Sequence, residues 1–228
     1  MTNKLTLAAL GALFLGLSAS AAQANLVSDG DFSNPSGGSL TTYYLGQSFG
    51  PWTVITTPND DPYLDHITPS VDLVGSYWQS ATPGGGSVDL DGFHPGGITQ
   101  HLNIGAGSYV LTFSLSGNSD VTPYFPYYLN VQVGNANTQY LYQMGAAGTY
   151  SHTNMNYISE TLAFTTTGAT DLTFTSLEDP SNPYGPVISG VDVESVSNVP
   201  LPGSVLMFMT GLAALLGVHY FRKNRVTV

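Results

Sequence analysis

Asp89-Leu-Asp91-Gly-Phe-His94 sets two carboxylates two residues apart, with a histidine three positions further on. In an extended strand that spacing puts both acids on one face, where they could hold a metal or divide acid and base duties. A glycosidase needs such a pair roughly 5–9.5 Å apart across a cleft. The plainer reading has Asp89 bonding to neighbouring backbone while Asp91-Gly92 makes a turn, and the spacing matches no familiar catalytic signature. No Gly-x-Ser-x-Gly context raises a serine as nucleophile. The chain is therefore read as non-enzymatic, with a polysaccharide-acting enzyme using Asp89 and Asp91 as the alternative. A second acidic stretch, Asn59-Asp60-Asp61 with Asp65-His66, has the ligands for a weak calcium ion, against the plainer reading of solvated turn residues.

Binding chemistry has better material. Tyr43-Tyr44, Trp52, Tyr77-Trp78 and Tyr124-Phe125-Pro126-Tyr127-Tyr128 supply more large rings than a core needs. Flat rings on loops stack against the apolar C–H faces of sugars without any charge. Trp78 is expected in packing. Tyr124, Tyr127 and Tyr128, next to Pro123 and Pro126, make the first candidate glycan patch, with Tyr43, Tyr44 and Trp52 behind it.

Charge narrows the partners. The four basic residues of the 228 are Lys4, Arg222, Lys223 and Arg225, whereas all fifteen acids lie between Asp29 and Glu194. The body thus has no lysine or arginine to grip a phosphate, which excludes nucleic acid. Its field at neutral pH is negative, so an extracellular polysaccharide partner is neutral, or acidic and bridged by divalent ions. The absence of cysteine removes disulfides, zinc thiolates and cysteine nucleophiles.

The elements that must position these residues read as strands. Tyr109, Leu111, Phe113 and Leu115 alternate with Thr112 and Ser114, and Leu129, Val131 and Val133 alternate with Asn130 and Gln132. Leu172 and Phe174, and Val191 and Val193, follow the same period of two. With Gly, Pro, Asn and Ser between the runs, this predicts an all-β fold, an antiparallel β-sandwich of jelly-roll type over residues 25–196. Ser33 to Gly50 and Thr56 to Pro69 are expected as long polar loops.

The two ends differ from the body. Lys4, the apolar Leu5–Leu17 and Ala22-Gln23-Ala24 form a secretory signal peptide over 1–24, cleaved between Ala24 and Asn25. Gly203–Phe221 is uncharged and, as a helix, spans roughly 28 Å, the thickness of a bilayer core. Arg222-Lys223-Asn224-Arg225 then marks the cytoplasmic side. The body is expected outside the cytoplasm, held transiently at the inner membrane by this helix.

Pro200-Leu201-Pro202, the apolar helix and the basic tail together resemble the PEP-CTERM sorting signal of Gram-negative bacteria, with Leu201 where the name-giving glutamate stands. The resemblance implies processing of residues 197–228 by an exosortase, after signal peptidase has acted at the other end. The body resembles the choice-of-anchor C family, a galactose-binding-like β-sandwich. The resemblance runs through 25–32, 71–78, 86–92, 96–100, 113–118, 172–177 and 185–188. It implies a surface or matrix protein with an adhesion or biofilm role and no established catalysis. Related sandwiches hold a structural calcium with two acids at positions that here carry Ser33 and Ser189. Two missing carboxylates leave too little charge for a hard cation, so no cofactor is expected.

Overall fold

The computed structural model describes residues 24–33, 40–58, 68–121, 126–143, 150–180 and 182–196. Among these residues all regular structure is strand: β1 (Thr41–Tyr44), β2 (Ser48–Phe49), β3 (Trp52–Ile55), β4 (Ser70–Val74), β5 (Ser87–Asp89), β6 (Gly97–Leu102), β7 (Gly107–Gly117), β8 (Pro126–Val133), β9 (Ala136–Gln143), β10 (Ile158–Thr166), β11 (Thr170–Ser176) and β12 (Pro186–Ser195). They form two six-stranded sheets, ordered β1-β4-β5-β12-β7-β10 and β2-β3-β6-β11-β8-β9. Every pairing is antiparallel. The signal peptide, the Pro200-Leu201-Pro202 motif, the apolar segment 203–221, the basic tail, Tyr124 and Asp60, Asp61 and Asp65 lie outside the described residues.

The alternating runs face inward as their period requires. Tyr109, Leu111, Phe113 and Leu115 of β7 meet Leu129, Val131 and Val133 of β8 and Leu172 and Phe174 of β11 in one core. Phe113 of one sheet meets Phe174 of the other edge-on at 5.3 Å, and Trp52 packs against Phe174 within its own sheet and against Phe32 at 6.2 and 5.5 Å. Such pairs add about 0.5–1.5 kcal/mol each beyond their buried area.

β12 keeps its inward face only through a bulge. Ile188 and Val193 both point into the core although their numbers differ in parity. The register against β7 slips between Ser189 and Asp192, where Gly190 takes φ +58°. A side chain at that φ is strained, so the glycine lets one strand satisfy both halves of the core.

The stretch 33–50, expected as loop, contains β1 and β2. Thr41-Thr42-Tyr43-Tyr44 pairs fully with β4 along one sheet edge. Threonine and tyrosine suit the pleat, but an edge strand with little buried surface leaves no apolar alternation to read.

One face of the first sheet is covered from outside. Val74, Trp78, Met155 and Val187 form a small second core, with Tyr150 and Tyr157 packed against it. Beneath this cover the Ser116 hydroxyl meets the Tyr150 hydroxyl at 3.0 Å and donates to the Met155 carbonyl. Trp78 is a packing residue, as the sequence predicts.

The registers gather one set of strand ends at one pole: the close of β1, β5, β7 and β11 and the start of β4, β6, β8 and β12. At the other pole β12 ends at Ser195. There Asn25 is tied down, its Nδ2 donating to the Val191 carbonyl at 2.9 Å and its Oδ1 accepting from Val193 N at 3.1 Å.

Candidate functional site

Asp89 and Asp91 are sealed inside the protein. Asp89 Oδ1 accepts from the Asp91 backbone N–H at 3.0 Å and Oδ2 from Asn118 Nδ2 at 2.6 Å. Asp91 packs so closely against Gly185 that a Cβ there would overlap its carboxyl group. Burial holds both carboxyls well above the usual carboxylate range. The nearby Asp72 raises Asp89 further, and Asp89 and Glu178 raise Asp91 further; hydrogen bonding from Asp91 N, Asn118 and Gly185 only partly offsets this for Asp89 and from Ser176 for Asp91. A buried acid pair reaches no glycosidic bond, so the polysaccharide-cleaving alternative built on Asp89 and Asp91 is overturned. His94 stands apart from them, with Nδ1 3.2 Å from the Pro180 carbonyl oxygen.

The aromatic patch also needs correction. Tyr127 is 0% exposed and its ring is part of the core. Gly117 makes room for that ring, since a Cβ there would fall inside it, and the hydroxyl donates to the Asn118 carbonyl at 3.4 Å. Strand alternation explains the split: Tyr127, Leu129, Val131 and Val133 point inward, which turns Tyr128 outward at 44% exposure. Trp52, held behind Tyr43 and Tyr44 as a second patch, is likewise fully buried and donates its indole N–H to the Asp29 carbonyl at 3.1 Å.

The positions that resemblance assigns to calcium ligands are engaged internally. Ser33 N and Oγ donate to Asp29 and Asp31, and the buried Ser189 hydroxyl donates to the Gly86 carbonyl at 2.8 Å. Among the described residues no group of three or more His, Asp or Glu could hold a metal ion.

A cleft opens elsewhere at the loop pole. Asp120, Val121, Tyr127, Glu178, Asp179, Asn182 and Tyr184 line a cleft of about 610 Å³. Its wall is the connection from β11 to β12, folded by its own polar groups: Asn182 N donates to the Asp179 carbonyl at 2.8 Å and Tyr184 N to Asn182 Oδ1 at 3.1 Å. Glu178 clamps this wall to β8, accepting from Tyr128 N at 2.7 Å, and Asn182 Nδ2 donates to it at 3.4 Å. Burial raises the Glu178 carboxyl above its ordinary value, and the bonds from Tyr128 and Asn182 hold it back. On the opposite wall Asp120 accepts from His152 Nε2, and His152 packs against Tyr77 at 4.4 Å. Carboxylates, an amide and a half-exposed phenol ring surround one hollow, a lining of acceptors with an amide donor and one flat apolar face. Sequence reading passed over these residues, although Glu178-Asp179-Pro-Ser-Asn182-Pro-Tyr184-Gly185 is a polar, proline-rich loop with one large ring.

Fold and site together define an antiparallel β-sandwich domain with a polar cleft at its loop pole. Residues 25–194 match the family model described as "Protein of unknown function (DUF642)", and the chain belongs to that family. No curated protein matches it. Solved structures similar to the chain include a family 35 carbohydrate-binding module from Clostridium thermocellum, at 14% identity and TM-score 0.41 over 68% of this chain and 99% of that one. A CBM35 domain from Paenibacillus barcinonensis shares 13% identity with TM-score 0.37 over 68% and 98% of the two chains. TmCBM61, solved with β-1,4-galactotriose, shares 10% identity with TM-score 0.37 over 75% and 99%. At these scores the likenesses carry no conclusion about a ligand.

Proposed function

We propose that the domain is an exported, non-catalytic module that binds a neutral polysaccharide of the cell surface or extracellular matrix through the loop-pole cleft. The observation that carries this reading is the lining itself: Asp120, Glu178, Asp179 and Asn182 beside Tyr184, in a body without lysine or arginine. Vicinal sugar hydroxyls pair naturally with carboxylate and amide groups. The Tyr184 ring supplies a face for C–H stacking. A polyanion has no cation to meet there.

The test is a glycan array followed by titration calorimetry on the full chain in a sugar-free detergent, with calcium or with EDTA. Neutral glycans should bind equally well in both, and Tyr184→Ala should weaken binding about tenfold, the effect of losing one stacking contact. Tight binding of alginate or sulfated chains in EDTA at low salt would refute the reading, since repulsion is least screened there.

The same proposal includes the route. Signal peptidase cuts after Ala24, and an exosortase removes the tail at Pro200-Leu201-Pro202. Mass spectrometry of protein recovered from cells should find the C-terminus between residues 200 and 203. Intact Arg225 in most molecules would mean that the tail is a permanent anchor instead.

A further inference from the structure

We infer that the cleft is one half of a longer site, whose other half is a platform formed by Tyr44 and Phe93, so that the ligand is an internal segment of a neutral polysaccharide chain rather than a single sugar or chain end. This rests on the reading of the cleft as a glycan site.

Phe93 is 60% exposed, more than any other large hydrophobic side chain among the described residues, and Tyr44 beside it is 39% exposed. Their rings are near-parallel, 7° apart, with centroids 6.3 Å from one another. Phe93 therefore keeps most of its surface in solvent, and Tyr44 rather less. A solvent-exposed phenylalanine is ordinarily free to turn and collapse onto its surroundings, but this one is mounted on a braced turn. Phe93 N donates to the buried Ser70 hydroxyl at 2.8 Å, Ser70 N donates to the His94 carbonyl at 3.1 Å, and Gly92 N donates to the Ser70 carbonyl at 3.0 Å. Tyr44 is braced from the same residue. It pairs with Ser70 in the sheet, and its own turn is closed by Gln47, whose N donates to the Tyr44 carbonyl at 2.8 Å and whose Oε1 accepts from Tyr44 N at 2.9 Å. Two backbones fixed to one residue hold the mounts of both rings in a preset geometry, which lowers the ordering cost of binding.

The platform has polar company and a direction. Tyr44, Thr68, Phe93 and His94 line a hollow of about 330 Å³. His94 meets the Pro180 carbonyl, and Pro180 directly follows Asp179 of the cleft wall. The two hollows are therefore neighbours, joined through the His94–Pro180 contact. A chain running from one to the other would set sugar faces on the parallel rings in the first and hydroxyls among the carboxylates in the second. Nothing along this path carries a fixed positive charge, so the polymer is neutral.

The experiment is calorimetry on the full chain in a sugar-free detergent, against gluco-, galacto- and manno-oligosaccharides from disaccharide to octasaccharide. Affinity in the best series should climb with length and then level off. Phe93→Ala and Tyr44→Ala should each lower affinity for the longest ligands about tenfold while leaving the shortest bound ligand within about twofold. Tyr184→Ala should weaken every length alike. An unchanged ladder in both platform variants, or a wild-type affinity that does not depend on length, would overturn the second half of the site and leave the cleft reading standing. Failure of every oligosaccharide to bind would overturn both. Phe93 is exposed, and an unchanged near-ultraviolet spectrum in its variant shows that the effect belongs to binding.

Discussion

Tyr127→Ala should cost about 4 kcal/mol of stability, within the range for truncating a buried aromatic residue, and lower the melting temperature by roughly 10 °C. Tyr128→Ala, one residue away, should change stability by less than about 0.5 kcal/mol. The contrast follows from alternation along β8. The Tyr127 ring fills the space above Gly117, and its loss leaves a cavity between the sheets and one fewer donor for the Asn118 carbonyl. Tyr128 is held by its backbone, through N to Glu178 and through its carbonyl to Leu177 N at 3.0 Å. Urea titration of both variants decides the matter. A Tyr127→Ala chain as stable as wild type would remove that ring from the core. A binding assay on Tyr127→Ala alone would confuse unfolding with lost affinity, so Tyr184 and Phe93 are the positions to truncate when glycan recognition is the question.

Acidification from pH 7 to about pH 5 should stabilise this protein, the reverse of ordinary acid denaturation. Asp89 and Asp91 have folded-state pKa values raised well above the ordinary 3.8 because burial disfavours their charged forms. Between that ordinary value and the raised one, the folded state binds more protons than the unfolded state. Stability is then full below the unfolded value and is lost as pH rises through the folded one. Asp72 and Glu178, also raised by burial, act in the same direction. No lysine or arginine in the body offsets the trend by pairing with a carboxylate. Asp91→Asn keeps the volume and removes the proton that folding demands. It should be more stable than wild type at pH 7, where wild-type folding has to take up that proton, and little different near pH 4. Denaturant curves across that range test the slope. A wild-type stability that rises steadily from pH 5 to pH 7, or an Asp91→Asn variant with an unchanged slope, would show that these carboxyls are not carried as neutral groups.

Those two residues also show where sequence reading reaches its limit. Placing Asp89 and Asp91 in an extended segment and anticipating backbone bonding by Asp89 needed only spacing. Their burial depended on Asn118 reaching Asp89 and on Gly185 closing over Asp91, contacts between segments far apart in the chain. The inward faces of β7, β8 and β11 were legible because period two and burial coincide there. β1 was not, because an edge strand of Thr and Tyr buries too little to leave a pattern. The cleft was legible as composition, a polar loop with one tyrosine, and illegible as a site. Its hollow exists only when the β11–β12 connection is clamped by Glu178 to β8 and faces Asp120 across the pole. Phe93 was in plain view inside the aspartate motif, but its chemistry lies in being parallel to Tyr44, forty-nine positions earlier.

β12 begins beside the cleft at Pro186 and ends at the opposite pole at Ser195, ten residues or roughly 30 Å away. It lies inside its sheet, bonded to β5 on one side and β7 on the other. Were the chain held beyond Ser195 and loaded at the cleft, that strand would be the line along which the pull travels. The force runs parallel to the strand, so its hydrogen bonds to β7 resist together in shear instead of opening one by one. Under such a load the element next to the point of attachment would also be the one bonded on both sides, so β12 would bear the pull before any edge strand did.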